Sequence, residues 1–187
     1  MSSISEYDSL VSNGGEQHSE SYRAINPMRQ VPTLKINGLT LTQSVAIMEY
    51  IHDLHPEAGI LPSRPETRAV VRMISEMISS GIQPVQNLAV MKQHSSDPTE
   101  RQVWSHHWIS LGFSALETLL QTTAGLYCVG DSPSMADCCL VPQVFNARRW
   151  KVDMSLYPTI SAIETRLSKL EPFIKAEPSN QPDYPPE

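Results

Sequence analysis

The chain has 187 residues, of which 40% are apolar and 18% charged, and these values are typical of one globular domain or of two small ones. With 14 basic residues against 20 acidic ones and a formal net charge of −6, the chain lacks the electrostatic footprint of a protein that binds DNA, RNA or an anionic membrane surface. No stretch approaches the ~20 apolar residues of a membrane-spanning helix, and residues 1–10 do not resemble a signal peptide, so neither a membrane nor a nucleic acid is expected as a partner.

The first third of the chain predicts a short helix and a β-hairpin. The helix covers residues 16–25 and ends at the loop pair Asn26-Pro27. Two alternating apolar runs then flank Asn37-Gly38, the dipeptide preferred in a two-residue type I′ hairpin turn. Ser44 is a candidate N-cap for a helix that runs to Leu54.

The segment between Pro56 and Pro65 is rich in proline and glycine, so residues 58–65 are predicted to link two domains. Beyond it the pattern predicts helices alone. The positions predicted to face a core, spaced mostly three or four apart, are Val70, Ile74, Met77 and Ile78 in a helix that begins near Glu66, and Trp104, Trp108, Leu111, Ala115 and Leu119 in a second long helix.

The remaining helical signals concern bends and ends. Pro84 should bend or interrupt the first of these helices. A further helix opens at Ser134, where Ser134 and Asp137 form the Ser-x-x-Asp pattern of a capping box. The last helix begins at Pro158, and the proline-rich residues 176–187 are predicted to form an extended tail.

Three short motifs could carry chemistry, each with a plain structural alternative. Gln43-Ser44 offers an amide, a hydroxyl and free backbone N–H groups at a helix N-terminus, which would suit a carboxylate, although Ser is also an ordinary cap. Val31-Pro32 could hold a cis peptide bond that leaves backbone groups free for an extended ligand, although trans is the commoner form. Arg148-Arg149 could hold an acidic substrate or simply favour the negative end of a helix.

The cysteines and histidines predict neither a metal site nor a redox site. Cys128, Cys138 and Cys139 are odd in number and form no C-x-x-C motif, so the favoured interpretation is three reduced, buried thiols. The six histidines include no set of three or four ligands at metal spacing. The sequence also lacks G-x-G-x-x-G, P-loop, G-x-S-x-G and H-E-x-x-H motifs.

Five segments of the chain have to be interpreted jointly. They are residues 26–34 (NPMRQVPTL), 43–44 (QS), 81–87 (GIQPVQN), 126–131 (LYCVGD) and 134–144, which holds SMAD and VPQV. Together they resemble the zeta-class glutathione transferases, the family that includes maleylacetoacetate isomerase. The resemblance implies an α/β plus all-α fold: an incomplete thioredoxin-like domain over residues 1–57, then an all-helical domain over residues 66–175.

The resemblance also implies an activity. The family's glutathione thiolate adds to a conjugated cis-enedione diacid, the carbon–carbon bond rotates, and the thiol leaves to give the trans isomer. This chain would then be a glutathione-dependent cis–trans isomerase of maleylacetoacetate in phenylalanine and tyrosine breakdown, with glutathione as cofactor and acidic enediones or haloacids as substrates. A homodimer, or a dimer with a full-length form, and a cytoplasmic location are implied as well; a mitochondrial location is also compatible with the family.

The site residues follow from the same resemblance. The implied glutathione contacts are Gln17, Val31, Gln43, Ser44, Gln83 and Asn87. Among these, Val31 would pair its backbone with the cysteinyl part, Gln43 and Ser44 would hold the γ-glutamyl carboxylate, and Gln17 would lie at the glycyl side. Arg149 resembles the residue that receives a substrate carboxylate, and no metal ligand is implied.

One departure concerns the start of the chain. The family opens with a strand and a Ser-Ser-Cys-Ser-Trp-Arg motif that activates the thiol, whereas this chain resembles an N-terminally shortened form whose next strand covers roughly Ser5–Val11. Ser2–Ser5 echoes the motif only faintly, so no residue is assigned a catalytic role. Two alternatives stay open: a catalytically impaired variant that dimerises or binds glutathione weakly, and an unrelated helical interaction module.

Overall fold

A computed structural model of the chain describes residues 15–181 and Tyr184. The motif at Ser2–Ser5 and the strand predicted over Ser5–Val11 lie outside the described residues. The described residues form two strands, Thr33–Ile36 (β1) and Leu39–Thr42 (β2), and eight α-helices. The helices are Glu20–Ile25 (α1), Ser44–Leu54 (α2), Pro65–Glu76 (α3), Leu88–His94 (α4), Pro98–Thr123 (α5), Met135–Arg149 (α6), Pro158–Leu167 (α7) and Glu171–Ala176 (α8).

The chain divides into two compact units. The first unit takes the described residues up to His55 and those from Glu171 onward, and the second takes Pro56–Leu170. The predicted linker, residues 58–65, falls inside the second unit, where it overlaps a 3-10 turn at Pro56–Ala58. The domain boundaries read from the sequence stay a prediction, while a small two-stranded sheet followed by helices agrees with the expected fold class.

A serine divides the first predicted helix. Residues Glu16–His18 form a 3-10 turn, and Ser19 then caps α1, because its Oγ accepts a hydrogen bond from the N–H of Tyr22 at 3.1 Å. Ser19 has the extended backbone that an N-cap requires and a helix interior does not allow. The continuous helix predicted over residues 16–25 is therefore wrong in this detail.

The predicted hairpin is confirmed. β1 and β2 are antiparallel, with Thr33 opposite Thr42. Asn37 and Gly38 have φ angles of 50° and 77°, and positive φ at both central positions is what a type I′ turn requires. The pairing fixes the register, so the residues just before β1 and just after β2 lie at the same end of the hairpin.

The cap predicted for α2 is wrong by one position. Ser44 is the first helical residue, while Gln43 occupies the N-cap position with a φ of 73°. A serine caps a helix only from non-helical backbone, which Ser44 does not have here. The side chain of Gln43 forms no capping bond either. The helix ends at Leu54, as predicted, and buries Ile47.

The helix predicted to begin near Glu66 covers α3 and the π-helical segment Met77–Ile82 that follows it, and it turns most of its predicted face towards the core. Ile74 and Ile78 are fully buried, as predicted, and Met77 is half-buried. Val70 is only half-buried, and its neighbour Val71 takes the buried position instead.

The predicted interruption at Pro84 is confirmed. After α3 the chain continues as a π-helical segment, Met77–Ile82, and then as a 3-10 turn, Pro84–Gln86, before α4 begins. Pro84 has no N–H to donate, and its ring clashes with the preceding turn of an α-helix. Gln83 and Asn87 therefore flank a short turn outside regular α-helix.

The buried face of α5 differs from the predicted one. Leu111 is 55% exposed, Ala115 is exposed, and Trp104, Trp108 and Leu119 are only half-buried. The buried residues are Ser105, Ile109, Phe113, Leu116, Glu117 and Leu120. Members of both sets recur mostly every three or four residues, so periodicity favours neither set. α5 packs against α4, α7 and the π-helical segment at once, and these neighbours decide which set is buried.

The length of α5 does not make it a membrane span. It has 26 residues, more than the ~20 needed to cross a bilayer, but charged residues such as Glu100, Arg101 and Glu117 are spread along it. Among the described residues, no helix is both long enough and apolar enough to span a membrane.

The C-terminal segment is more regular than predicted. α8 precedes the predicted extended tail, and Pro178–Asn180 forms a 3-10 turn within the tail's described part. Nδ2 of Asn180 donates to the C=O of Ile174, and Nε2 of Gln181 donates to the C=O of Lys175, each at 2.7 Å. These bonds satisfy carbonyl groups at the end of α8 that have no helical partner.

Candidate functional site

Polar side chains, one of them buried, hold the loop between α1 and β1. Asn26 is 2% exposed, and its Nδ2 donates to the C=O of Gln30 at 2.6 Å. The hydroxyl of Tyr22 donates to the same carbonyl at 2.9 Å and lies 2.8 Å from Oγ1 of Thr33. These bonds fix the backbone that leads through Val31 into β1.

The peptide bond between Val31 and Pro32 is cis, the less common of the two forms considered from the sequence. The Val31 side chain is 59% exposed, and its backbone N–H and C=O form no hydrogen bond within the described residues. Free main-chain groups of this kind can pair with the backbone of an extended peptide ligand. Val31 is therefore available for the contact expected from the sequence.

The start of α2 is an exposed and uncapped helix N-terminus. Gln43 and Ser44 are both exposed. The N–H of Ile47 donates to the C=O of Gln43 at 3.0 Å, so the helical N–H groups before Ile47 have no acceptor within the helix. These groups, with the positive end of the helix dipole, favour an anion. Because Thr33 pairs with Thr42, this end of α2 lies at the same end of the hairpin as Val31.

Gln17 lies on the 3-10 turn before α1. Its Oε1 is buried and has no hydrogen-bond partner among the described residues. A buried oxygen left without a donor costs about 1–3 kcal/mol, so it is uncommon and favours a donor from outside the described residues. Within residues 15–181, no hydrogen bond joins Gln17 to Val31, Gln43 or Ser44, so the structure does not itself bring Gln17 together with them.

The second unit holds an open cavity of about 390 Å³. Its lining includes Gln83, Asn87 and Arg149, so the structure brings these three predicted residues to one place from two distant segments. Gln83 is half-buried, and Oδ1 of Asn87 accepts from the N–H of Ala89 at 2.9 Å, which caps α4 and leaves the Asn87 Nδ2 for a ligand. One cationic side chain among amides suits a small acidic molecule.

The two neighbouring arginines at the end of α6 have different surroundings. Both terminal nitrogens of Arg148 donate to Glu164, each at 2.9 Å, so this guanidinium is already engaged by a carboxylate. Arg149 forms no ion pair within the described part of the chain, and its guanidinium carbon lies 5.7 Å from the ring centroid of Trp150. Arg149 is therefore the member of the pair that remains available to an acidic ligand.

Three hydrogen-bonded amides, two of them buried, form part of the lining of this cavity, and no sequence motif indicates them. Nδ2 of Asn146 donates to Oε1 of Gln86 at 2.7 Å, and Nε2 of Gln86 donates to Oε1 of Gln143 at 2.5 Å. Gln143 is 1% exposed. The only signal in the sequence is the spacing of Gln143 and Asn146, which places them on one helical face.

A second, larger groove does not fit an acidic molecule. It measures about 470 Å³ and is lined by His94, Thr99, Glu100, Val103, Trp104, His107 and Trp108. Its lining is largely apolar and its one carboxylate, Glu100, would repel an acid. The cavity with Arg149 is therefore the better candidate.

The three cysteines do not supply a reactive thiolate. Burial raises the pKa of all three thiols, to about 11 for both Cys138 and Cys139. The nearby Asp137 carboxylate raises the pKa of Cys128 and of Cys138 further. These thiols stay protonated at neutral pH, and only a thiolate is an effective nucleophile. The prediction of free thiols is confirmed, with Cys128 and Cys139 buried and Cys138 half-buried. Thiolate chemistry would therefore need a thiol bound from outside.

No metal-binding cluster is found in the part of the chain that the structure describes. There, no three side chains of His, Cys, Asp or Glu lie close enough together to hold a metal ion.

Sequence comparisons match this chain to named proteins along most of its length. Residues 6–53 match the family model described as glutathione S-transferase, N-terminal domain. A maleylacetoacetate isomerase from Mus musculus is 54% identical over 178 residues, which are 95% of this chain and 82% of the mouse protein. A probable maleylacetoacetate isomerase 2 from Drosophila melanogaster is 54% identical, over 96% of this chain and 78% of its own length.

Solved structures match the fold as well. A holo structure of a maleylpyruvate isomerase, described as a bacterial zeta-class glutathione S-transferase, has a TM-score of 0.87 and 35% identity, covering 91% of this chain and 83% of its own. A maleylacetoacetate isomerase from Anaeromyxobacter dehalogenans, with glutathione bound in its active site, has a TM-score of 0.80 and 40% identity, covering 89% and 81%. Both matches extend over most of the described residues.

Proposed function

Because the chain belongs to the zeta-class glutathione transferases, the family of the maleylacetoacetate isomerases, we propose that it is a glutathione-dependent enzyme that isomerises maleylacetoacetate to fumarylacetoacetate. The similarity to maleylacetoacetate isomerases over nearly the whole chain carries this proposal. The cavity geometry supports it, because Arg149 has no carboxylate partner among the described residues while Arg148 is paired with Glu164.

The residues of the first unit fit glutathione. When bound, glutathione supplies a thiolate that adds to the conjugated cis double bond and leaves again once the carbon–carbon bond has rotated. Val31 offers its free N–H and C=O to the cysteinyl backbone, and Gln43 and Ser44, with the uncapped N-terminus of α2, hold the γ-glutamyl carboxylate. Gln17 contributes an amide at the glycyl side, where its unpartnered Oε1 accepts a donor.

The second unit holds the substrate. Arg149 receives one substrate carboxylate, and a planar guanidinium suits this because it can donate two parallel hydrogen bonds. Gln83 and Asn87 add amide donors to glutathione from the same cavity wall. Small haloacids are further substrates of this arrangement, since they also carry a carboxylate.

The biological setting is part of the proposal. The reaction places the chain in phenylalanine and tyrosine breakdown. We expect a dimeric protein in the cytoplasm, on the strength of the family resemblance.

Substitution Ser44→Ala tests the assignment of glutathione to the start of α2. The loss of one hydroxyl donor to a carboxylate is expected to weaken glutathione binding about tenfold, since hydrogen bonds to charged groups contribute about 1.5–3 kcal/mol. Isothermal titration of the purified chain with glutathione measures this. Ser63→Ala, at an exposed serine in the second unit, is the matched control and should leave the affinity unchanged. An unaltered glutathione affinity in Ser44→Ala would contradict the assignment.

A further inference from the structure

The amides of Asn146, Gln86 and Gln143, called here the amide chain, connect two segments that are far apart in sequence. Its two hydrogen bonds, at 2.7 and 2.5 Å, join residues that are 60 and 57 positions apart. Gln86 and Gln143 are 6% and 1% exposed, so the bond between them is shielded from bulk water. The bond from Asn146 to Gln86 is partly buried.

The two ends of the amide chain lie beside residues with assigned roles. Gln86 belongs to the 3-10 turn between Gln83 and Asn87. Asn146 lies three residues before Arg149 on α6, so the two side chains are neighbours on one helical face. The amide chain is thus a direct hydrogen-bonded link between the segment that carries two glutathione contacts and the helix that carries the carboxylate receptor.

Stability alone does not account for the amide chain. Nε2 of Gln143 is buried and has no partner within the described residues, which destabilises the fold. Apolar side chains of the same shape would fill this space without leaving a donor unsatisfied, and such replacements are often neutral or stabilising. What amides add is direction, because a hydrogen bond fixes both the distance and the angle between the groups that it joins.

We propose that the amide chain is a positioning device: Gln86, Gln143 and Asn146 set the separation between Gln83–Asn87 and Arg149, and thereby the fit of a dicarboxylate in the cavity. This inference rests on the proposed function, because Arg149 is taken as the carboxylate receptor. The three residues act through their neighbours and need no contact with the reacting atoms.

The double variant Gln86→Met/Gln143→Met tests the proposal. Methionine has nearly the length and volume of glutamine, and removing both partners of the shorter bond leaves no buried donor of that pair unsatisfied. The urea midpoint should stay close to that of the wild type. The affinity for malonate, a small dicarboxylate, should fall about tenfold or more when it is measured at saturating glutathione. The reason is that a displacement of Arg149 by about 1 Å is enough to weaken its contact with a carboxylate. The affinity for glutathione should fall less than the affinity for malonate, because most of the implied glutathione contacts lie in the first unit and are not touched by the two substitutions.

The controls separate positioning from a merely structural role. Gln121→Met, at an exposed position on α5, should change none of these quantities. A folded double variant with wild-type malonate affinity would overturn the proposal, as would a wild-type chain that binds no malonate. If the double variant does not fold, the single variant Gln143→Met, which breaks one bond and keeps the Asn146–Gln86 bond, should still lower the malonate affinity, though by less than tenfold, and an unchanged malonate affinity would overturn the proposal.

The same experiment distinguishes failure of this inference from failure of the proposed function. In an active enzyme, the double variant should raise KM for maleylacetoacetate more than it lowers kcat. A wild-type chain without isomerase activity would contradict the proposed function, yet a selective loss of malonate affinity in the double variant would still support the amide chain as a positioning device.

Discussion

Substitution Asp137→Ala is expected to lower the free energy of unfolding by about 4 kcal/mol, the largest effect on stability that we predict. The Asp137 carboxylate is fully buried. Its Oδ1 accepts from the N–H of Cys128 at 2.9 Å, and its Oδ2 accepts from both the N–H and the hydroxyl of Ser134 at 2.8 Å. Alanine would leave these donors buried and unpaired, and each such loss costs about 1–3 kcal/mol.

Urea unfolding of the purified variant measures this loss, and a nearby aspartate provides the control. Asp131 is exposed and also accepts a backbone N–H, that of Leu126 at 2.9 Å. Because water can replace its bond, Asp131→Ala should cost no more than about 1 kcal/mol. Equal losses for the two variants would contradict the argument that burial of Asp137 makes its bonds important.

The second large effect concerns catalysis. Substitution Arg149→Ala is expected to lower kcat/KM for maleylacetoacetate about 100-fold, or about 2.7 kcal/mol, because a charged, bidentate contact to a substrate carboxylate is lost. Arg149→Lys keeps the charge but not the planar pair of donors, so an intermediate loss is expected. The affinity for glutathione should change less than twofold in both variants.

Arg148 is the natural control for this experiment, since it precedes Arg149 in the same turn of α6. Its ion pair with Glu164 is partly exposed, with 51% of the Arg148 side chain accessible, so Arg148→Ala should cost about 1 kcal/mol of stability or less. Its kcat/KM should stay within about twofold of the wild type, since the ion pair with Glu164 already occupies the guanidinium. If Arg148→Ala impaired turnover and Arg149→Ala did not, the roles assigned to the two arginines would be wrong.

Local sequence signals predicted local structure well. Asn37-Gly38 specified a type I′ turn because a two-residue turn depends on the φ preferences of those two residues alone. Ser134 and Asp137 predicted the start of α6 for the same reason, since a capping interaction spans only three positions. The extra bond from Cys128 to Asp137 was not predicted, because it comes from the loop before the helix.

Errors arose where distant contacts decide the outcome. Leu111 was placed on the buried face of α5 because periodicity alone could not separate two equivalent sets of positions. The cap of α2 is a separate, local error: the sequence favours Ser44, but the positive φ of its neighbour Gln43 puts the N-cap one residue earlier.

In the candidate site, too, local motifs were predictable from the sequence, whereas contacts between distant residues were not. The motifs around Val31, Gln43 and Arg149 were recognisable from the sequence, and their roles towards glutathione and substrate stay predictions. The structure distinguishes Arg148 from Arg149 because Arg148 is paired with Glu164, a residue of another helix. The sequence around the two arginines does not show this difference. The bond between Gln86 and Gln143 links residues 57 positions apart, and no local sequence pattern predicts it.

Turnover of maleylacetoacetate by the purified 187-residue chain, followed at increasing glutathione concentration, decides whether this protein is a glutathione-dependent isomerase. We expect formation of fumarylacetoacetate that requires glutathione, saturates with it, and is not supported by S-methylglutathione, which has no free thiol. A folded chain that binds glutathione but forms no fumarylacetoacetate would contradict the proposed function, and would identify the protein instead as a glutathione-binding member of the family without isomerase activity.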